Sequence, residues 1–235
     1  MNLKYRKIIL KISGEVLGQG AETYNFKTIR YIIKQISTVH ELGVKIGLVI
    51  GGGNILRGKT TREINRIDAD FCGMVATIIN GMMLRPLLAK NHVKTEIRSA
   101  LAMPGVIKHA NRSEDLKLYE SGVVLIFVGG TGNPLFTTDT AAALRAAEMD
   151  SDILIKGTKV EGVYSTDPEK NRRARFFPKL KFKEAIDKNL MVMDSTAFNI
   201  CQEADIPIFV YNLLKYPLSR VVKGDRVGTL VTTGG

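Results

Sequence analysis

The sequence predicts an α/β fold, a three-layer αβα sandwich around a mostly parallel sheet, and three observations carry that prediction. Apolar runs of strand length at 8–12, 44–50 and 123–128 are near-continuous, as in strands buried on both faces. Glycine follows each run closely: Gly14, then Gly51-Gly52-Gly53, then Gly129-Gly130 with Gly132. No hairpin dipeptide marks a β-meander over the first two thirds of the chain, and no internal repeat shows. Ligands of such sheets bind at the carboxyl ends of the strands, where the glycine loops and Lys11 would gather.

Tyr5 to Ile12 reads as a strand ending in Ser13-Gly14-Glu15. Lys11 is costly there unless its ammonium reaches an anion, or water from an edge strand; the residues alone leave both readings open. Leu17 to Asn25 is a polar connection, and Phe26 to Leu42 carries a helical stripe of Ile29, Ile32, Ile33, Ile36 and Val39, stopped by Gly43. Val44 to Ile50 is the second buried strand. The stretch Gly53 to Thr60 then matches the P-loop pattern GxxxxGK[ST]. A P-loop runs straight into a helix and needs a strand ending in Asp for magnesium. Here polar TREINRIDAD follows and the best strand ends in glycine, so the match is a coincidence of composition.

Asp68 to Lys90 reads as a long helix with Pro86 as a kink near its end; Met74, Met82 and Met83 are core or subunit contacts. Asp70 either meets a ligand hydroxyl or is a carboxylate favoured by the helix start. Val93 to Ile97 is a short strand, and Ser113 opens a helix to Tyr119 with a partial capping box. Val123 to Val128 is the best buried strand, after which Thr137-Thr138-Asp139 starts the helix AAALRAAE. A strand, a glycine loop and a helix N-terminus together form an anion site.

Asp152 to Lys156 is a further strand, and Lys159 to Pro168 a loop whose Tyr164 stacks on a purine or fills a hydrophobic gap. The basic run Lys170-Asn171-Arg172-Arg173-Ala174-Arg175 is the best local nucleic-acid candidate, though no aromatic interleaves it. Phe182 to Leu190, Ser195 to Glu203 and Pro217 to Lys223 read as helices, Ile206 to Tyr211 and Gly228 to Thr232 as strands.

At 235 residues the chain has room for one large α/β domain or two small ones. No apolar run approaches the ~20 residues that cross a bilayer. Cys72 and Cys201 lack metal-ligand spacing and read as buried, reduced thiols of a cytoplasmic protein. A net charge of +11 suits a polyanionic partner, either nucleic acid or a phosphorylated small molecule.

Three backbone-donor loops exceed the needs of one phosphate chain, so two phosphorylated groups are expected to face each other. None of His40, His92 and His109 sits on a glycine loop, and neither a Ser-His-Asp set nor a GxGxxG follows a strand. A missing general base fits an acceptor that is itself a phosphate, with second pKa about 6 and already anionic at pH 7. Catalysis is then alignment plus charge cancellation by Lys11, Arg57, glycine-loop N–H groups and Mg²⁺.

The residues also carry a family resemblance. Lys11-Ile12-Ser13-Gly14-Glu15, Gly51-Gly52-Gly53-Asn54 with Arg57-Gly58, and Gly130-Thr131-Gly132-Asn133-Pro134 with Phe136-Thr137-Thr138-Asp139 resemble the bacterial uridylate kinases of the amino-acid kinase family. So do Thr158-Lys159-Val160 through Gly162-Val163-Tyr164 to Asp167-Pro168, Val192-Met193-Asp194 and Gly228-Thr229-Leu230. The Gly-Thr-Gly-Asn-Pro block is specific to the uridylate enzymes; the lysine and triple-glycine motifs are shared with amino-acid and carbamate kinases.

The resemblance implies an amino-acid kinase-like fold in one domain over 1–235, with an acceptor-binding part about 1–150 and an ATP-binding part about 151–235. It implies MgATP-dependent conversion of UMP to UDP by a cytoplasmic homohexamer in pyrimidine nucleotide synthesis. Lys11, Ile12, Ser13, Gly14 and Gly53 would hold ATP phosphates, Arg57 would span the phosphates, and Thr158, Tyr164 and Asp167 would seat the adenine nucleotide. Gly52, Asp70 and the run Thr131, Gly132, Asn133, Pro134, Leu135, Phe136, Thr137 and Thr138 would hold UMP. Asp139 and Asp194 would organise the lysines or the metal, Asp139 being equally readable as a helix cap. No protein cage for a metal is expected, Mg²⁺ riding on the nucleotide. UTP is the expected inhibitor; Pro86 and Glu96 stand where effector-binding residues are expected, which leaves GTP activation open. The other readings are a relative acting on a carboxylate or carbamate, and a basic nucleic-acid-binding protein.

Overall fold

Near-continuous apolar strands form the middle layer, as their composition requires. The computed structural model describes residues 2–18, 20–56, 63–168, 170–171, 173–188, 190 and 193–234. The order is Lys7–Ile12 (β1), Gly14–Leu17 (α1), Phe26–Glu41 (α2), Lys45–Ile50 (β2), Arg66–Ala89 (α3), Thr95–Ser99 (β3), Lys108–His109 (β4) and Arg112–Glu120 (α4). Then come Val124–Val128 (β5), Thr138–Glu148 (α5), Ile153–Thr158 (β6), Val163–Tyr164 (β7), Phe176–Phe177 (β8) and Lys179–Lys181 (β9). Phe182–Asp187 (α6), Ser195–Glu203 (α7), Ile208–Asn212 (β10), Leu218–Val222 (α8) and Gly228–Thr232 (β11) complete it.

Nine strands form one sheet in the order β4-β3-β5-β2-β1-β6-β10-β11-β9, parallel throughout except for the antiparallel pair β10 and β11. Alternate side chains of each strand feed two cores. Ile8, Leu10 and Ile12 pack with α2, α3 and α8 on one face, and Ile9 packs with α4, α5, α6 and α7 on the other. The three-layer expectation holds.

Several local expectations move. α4 is capped by Asn111, whose side chain accepts from the Glu114 N–H, so Ser113 lies inside the helix and is not its cap. The strand expected at 93–97 runs from Thr95 to Ser99, because Val93 first turns out of the helix and donates back to the Leu88 carbonyl at 3.1 Å. β7 falls within the loop expected at Lys159 to Pro168, and its hairpin partner β8 and the edge strand β9 fall at 176–181, where the sequence pointed to no element. Pro86 sits inside α3 without ending it.

An 18-residue window of the 24-residue α3 has a mean hydropathy of 1.5, enough by length and composition to cross a membrane, although Arg66, Asp68, Asp70 and Arg85 keep the helix from being one continuous apolar run. It is a core helix that lies on β2, β3 and β5 with Ile78, Leu84 and Leu88 in the core. Cys72 on its outer side is exposed and only Cys201 is buried, so the pair of buried thiols is reduced to one.

Candidate active site

Lys11 and Lys156 are register partners on the adjacent parallel strands β1 and β6. Strand periodicity turns both side chains to the α5 face of the sheet. The first turn of α5 inserts Asp139 between them: the Lys11 Nζ lies 2.7 Å from Oδ1, and the Lys156 Nζ donates to Oδ2 at 2.7 Å. Lys11 is only 6% exposed, which decides against the edge-strand reading. Burial pushes the Asp139 carboxyl up, but the two ammonium charges outweigh it and hold its pKa at about 2. Burial lowers the Lys156 pKa, with the Asp139 charge opposing and the Lys11 charge adding to the fall. Asp139 is not the helix cap. That position belongs to Thr137, whose Oγ1 accepts from the Asp139 N–H at 2.9 Å.

Asp194 sits one layer further out. It caps α7 by accepting from the Ala197 N–H at 2.8 Å, and it accepts from the hydroxyls of Thr137 at 2.5 Å and Thr140 at 2.9 Å. The N-termini of α5 and α7 are therefore pinned together beside the lysines, and the Asp194 charge raises the Lys156 pKa.

The loops after β1 and β2 touch. A Cβ on Gly14 would lie 2.5 Å from the Gly53 nitrogen, so only glycine fits this crossing. Ile12 and Ser13 lead into it, and Lys11 Nζ donates to Ser13 Oγ at 3.3 Å. Gly52 lies against α3, where an added Cβ would be 2.7 Å from the Gly73 carbonyl.

The third loop turns through left-handed Gly129, Gly130 and Gly132, and Leu135 shares that conformation with φ of 73°. Leu135 is held there by donating its N–H to Asp70 Oδ2 at 2.9 Å, and Asp70 also receives Arg66 Nε. Asp70 thus meets the run Thr131 to Thr138, in which Leu135 and Phe136 are exposed and Asn133 and Thr131 bond to each other. Arg57, with Gly58 to Thr60, lies outside the described residues. Among the described residues after that stretch, the first helix is α3, which begins at Arg66 and is capped by Asn65.

Beyond β6 a cavity of about 560 Å³ is lined by Lys156, Thr158, Val160, Tyr164, Asp167 and Leu190, among others. This is the size of small-ligand sites in general. The ring of Tyr164 leans on Phe176 at 5.3 Å across the β7–β8 hairpin. Lys156 lines both this cavity and the ion cluster, and the sequence reading missed it. The available signal was a lysine closing an apolar strand, the same signal that singled out Lys11. Arg85, Pro86 and Glu96 line a separate cavity of about 330 Å³, where Glu96 is 3.3 Å from Arg98. Among the described residues no group of three His, Cys, Asp or Glu could hold a metal ion.

A model of the amino acid kinase family matches residues 6–212. A uridylate kinase of Thermosipho melanesiensis is 44% identical over 230 residues, which cover 97% of this chain and 98% of that protein. The crystal structure of a UMP kinase from Bacillus anthracis superposes with a TM-score of 0.94 at 32% identity, covering 98% of this chain and 97% of that one. For the UMP kinase of Ureaplasma parvum the TM-score is 0.90 at 37% identity, with 98% and 100% covered.

Proposed function

The chain belongs to the amino acid kinase family, and from that premise we propose that it is a UMP kinase, transferring the γ-phosphoryl group of ATP to UMP to give UDP and ADP. The observation that carries the chemistry is the pair of ammonium groups braced by one carboxylate where the glycine loops converge. A phosphate acceptor is anionic at neutral pH, so its oxygen attacks the γ-phosphorus without a general base. Lys11 and Lys156 offset the charge on the transferring group, and Asp139 holds both in place. Asp194 holds the start of α5.

Lys11, Ile12, Ser13, Gly14 and Gly53 take the ATP phosphates, and the cavity with Thr158, Tyr164 and Asp167 takes the adenine nucleoside. Gly52, Asp70 and Thr131 to Thr138 take UMP; the support is the Asp70 contact to Leu135. Arg57 keeps its role across the phosphates from the resemblance alone. The acceptor part spans about 1–150 and the ATP part about 151–235, on one shared sheet.

Mg²⁺ would come bound to ATP. Both nearby carboxylates are already engaged, Asp139 by ammonium groups and Asp194 by two hydroxyls and an amide, which suits a metal carried on phosphate oxygens. When bound it supplies further neutralisation of phosphate charge.

The protein works in the cytoplasm, in pyrimidine nucleotide synthesis, as a homohexamer, with UTP competing at the UMP site. Support for self-association is the exposed apolar stripe Ile67, Phe71, Val75, Ile79 and Met82 along α3. The test is ADP release with MgATP against UMP, CMP, aspartate, acetylglutamate and carbamate. Turnover with UMP alone is expected. Turnover with a carboxylate or carbamate instead would overturn the reading, as would salt-sensitive nucleic-acid binding without turnover.

A further inference from the structure

α3 carries two buried polar side chains that the chemistry above does not use. Thr77 is 2% exposed and Asn80 0%, and three residues apart they share one face of the helix. Thr77 Oγ1 donates to the Met74 carbonyl at 2.7 Å and accepts from the Gly129 N–H at 2.7 Å, the first amide of the loop after β5. Asn80 Nδ2 donates to the Gly51 carbonyl at 2.8 Å, the first carbonyl of the loop after β2, and to Asn54 Oδ1 at 2.8 Å. Its Oδ1 accepts from Tyr24 Oη at 2.9 Å and from Asn54 Nδ2 at 3.1 Å. All four hydrogen-bonding positions of the Asn80 amide are filled, so its orientation is fixed.

Two loops that open from neighbouring strands, β2 and β5, are thus tied to one helix one turn apart. At about 1.5 Å of rise per residue, the two anchor points are separated by roughly 4.5 Å along a rigid axis. Loop flexibility at the glycines would otherwise let the two phosphate-facing backbones drift. A drift of about 1 Å between reacting groups is enough to slow a transfer.

We infer that Thr77 and Asn80 are positioning residues for the transfer: Thr77 sets the acceptor loop at Gly129, and Asn80 sets the loop Gly51 to Asn54, where the two nucleotides meet. This rests on the UMP kinase reading, but its geometry is independent of which acceptor is used.

The test is steady-state kinetics of Thr77→Val, Thr77→Ser and Tyr24→Phe, varying each nucleotide separately. Thr77→Val keeps the shape and removes the acceptor, leaving the Gly129 N–H buried and unpaired. It should raise the KM for UMP about tenfold, the size expected for such an orphaned donor, with the KM for ATP within about twofold. Thr77→Ser, which restores the hydroxyl, should recover most of the loss. Tyr24→Phe, a milder change on a half-buried side chain, should lower kcat by about threefold through Asn80. Amide hydrogen exchange is the second readout: exchange at Gly129 should speed up in Thr77→Val and not in Thr77→Ser, whether or not UMP is the acceptor. A wild-type enzyme inactive on UMP but with this exchange pattern would remove the functional reading and keep the positioning one. Wild-type kinetics in both Thr77→Val and Tyr24→Phe, or KM values for both nucleotides rising in parallel without rescue by serine, would overturn the inference.

Discussion

Lys11 and Lys156 stand side by side in register on two central strands, and their ammonium groups meet opposite oxygens of the Asp139 carboxylate at 2.7 Å each. Two buried like charges on adjacent strands are tolerable only with that counter-charge between them. The arrangement leaves one net positive charge held on a rigid sheet at the strand tips, ready for an incoming polyanion.

Asp139→Asn keeps the shape and removes the counter-charge. Because it removes the carboxylate charge that both buried ammonium groups share, it should destabilise the fold by about 3–5 kcal/mol in urea unfolding at neutral pH. Without the Asp139 charge that now opposes burial, the Lys156 pKa falls further, so the alkaline limb of kcat should move to lower pH. An unchanged alkaline limb would separate Asp139 from the lysine that it touches.

Acid weakens the same cluster in a defined window. Asp139 has a folded pKa of about 2 against an ordinary value of 3.8, so its contribution is fully present above about pH 4 and disappears as pH falls towards 2. The contribution is on the order of 2 kcal/mol. The stability gap between wild type and Asp139→Asn should shrink between pH 5 and pH 2; a gap constant over that range would show that the carboxylate is not held ionised by its neighbours.

Asp194 ties α5 to α7. Asp194→Ala removes a helix cap, a loss of about 1 kcal/mol, and frees the hydroxyls of Thr137 and Thr140. Asp194→Asn keeps one acceptor for the Ala197 N–H and should retain most of the stability while lowering kcat about tenfold. Thermal melts set beside turnover separate the two effects. An Asp194→Asn enzyme with both wild-type stability and wild-type kcat would reduce Asp194 to a cap.

The apolar stripe of α3 has a simple test. Val75→Glu and Ile79→Glu place a charge at positions 46% and 47% exposed, so a lone chain would tolerate them. Light scattering should show a smaller assembly for either variant than for wild type. An unchanged mass would move the self-association surface elsewhere.

Local patterns carried much of this into the sequence. α7 spans Ser195–Glu203 as expected, and α2 ends one residue short of the expected Leu42. The three glycine loops were legible because a buried strand followed by glycine is a local statement. Lys156 was not, because its meaning comes from pairing with Lys11, 145 positions away, and strand order is not written in either segment. Cys72 was misread for the opposite reason: its neighbours on α3 are apolar, yet they form the outer stripe and not the core. The positions of Thr77 and Asn80 in a small-residue helix gave no sign of the loops they hold.

The most direct measurement is kcat for ADP release at saturating MgATP and UMP in Lys11→Ala and Lys156→Met. The account predicts a fall of at least ~10²-fold in each, the size of a lost electrostatic clamp, with both KM values changed far less. Either variant turning over at the wild-type rate would contradict it.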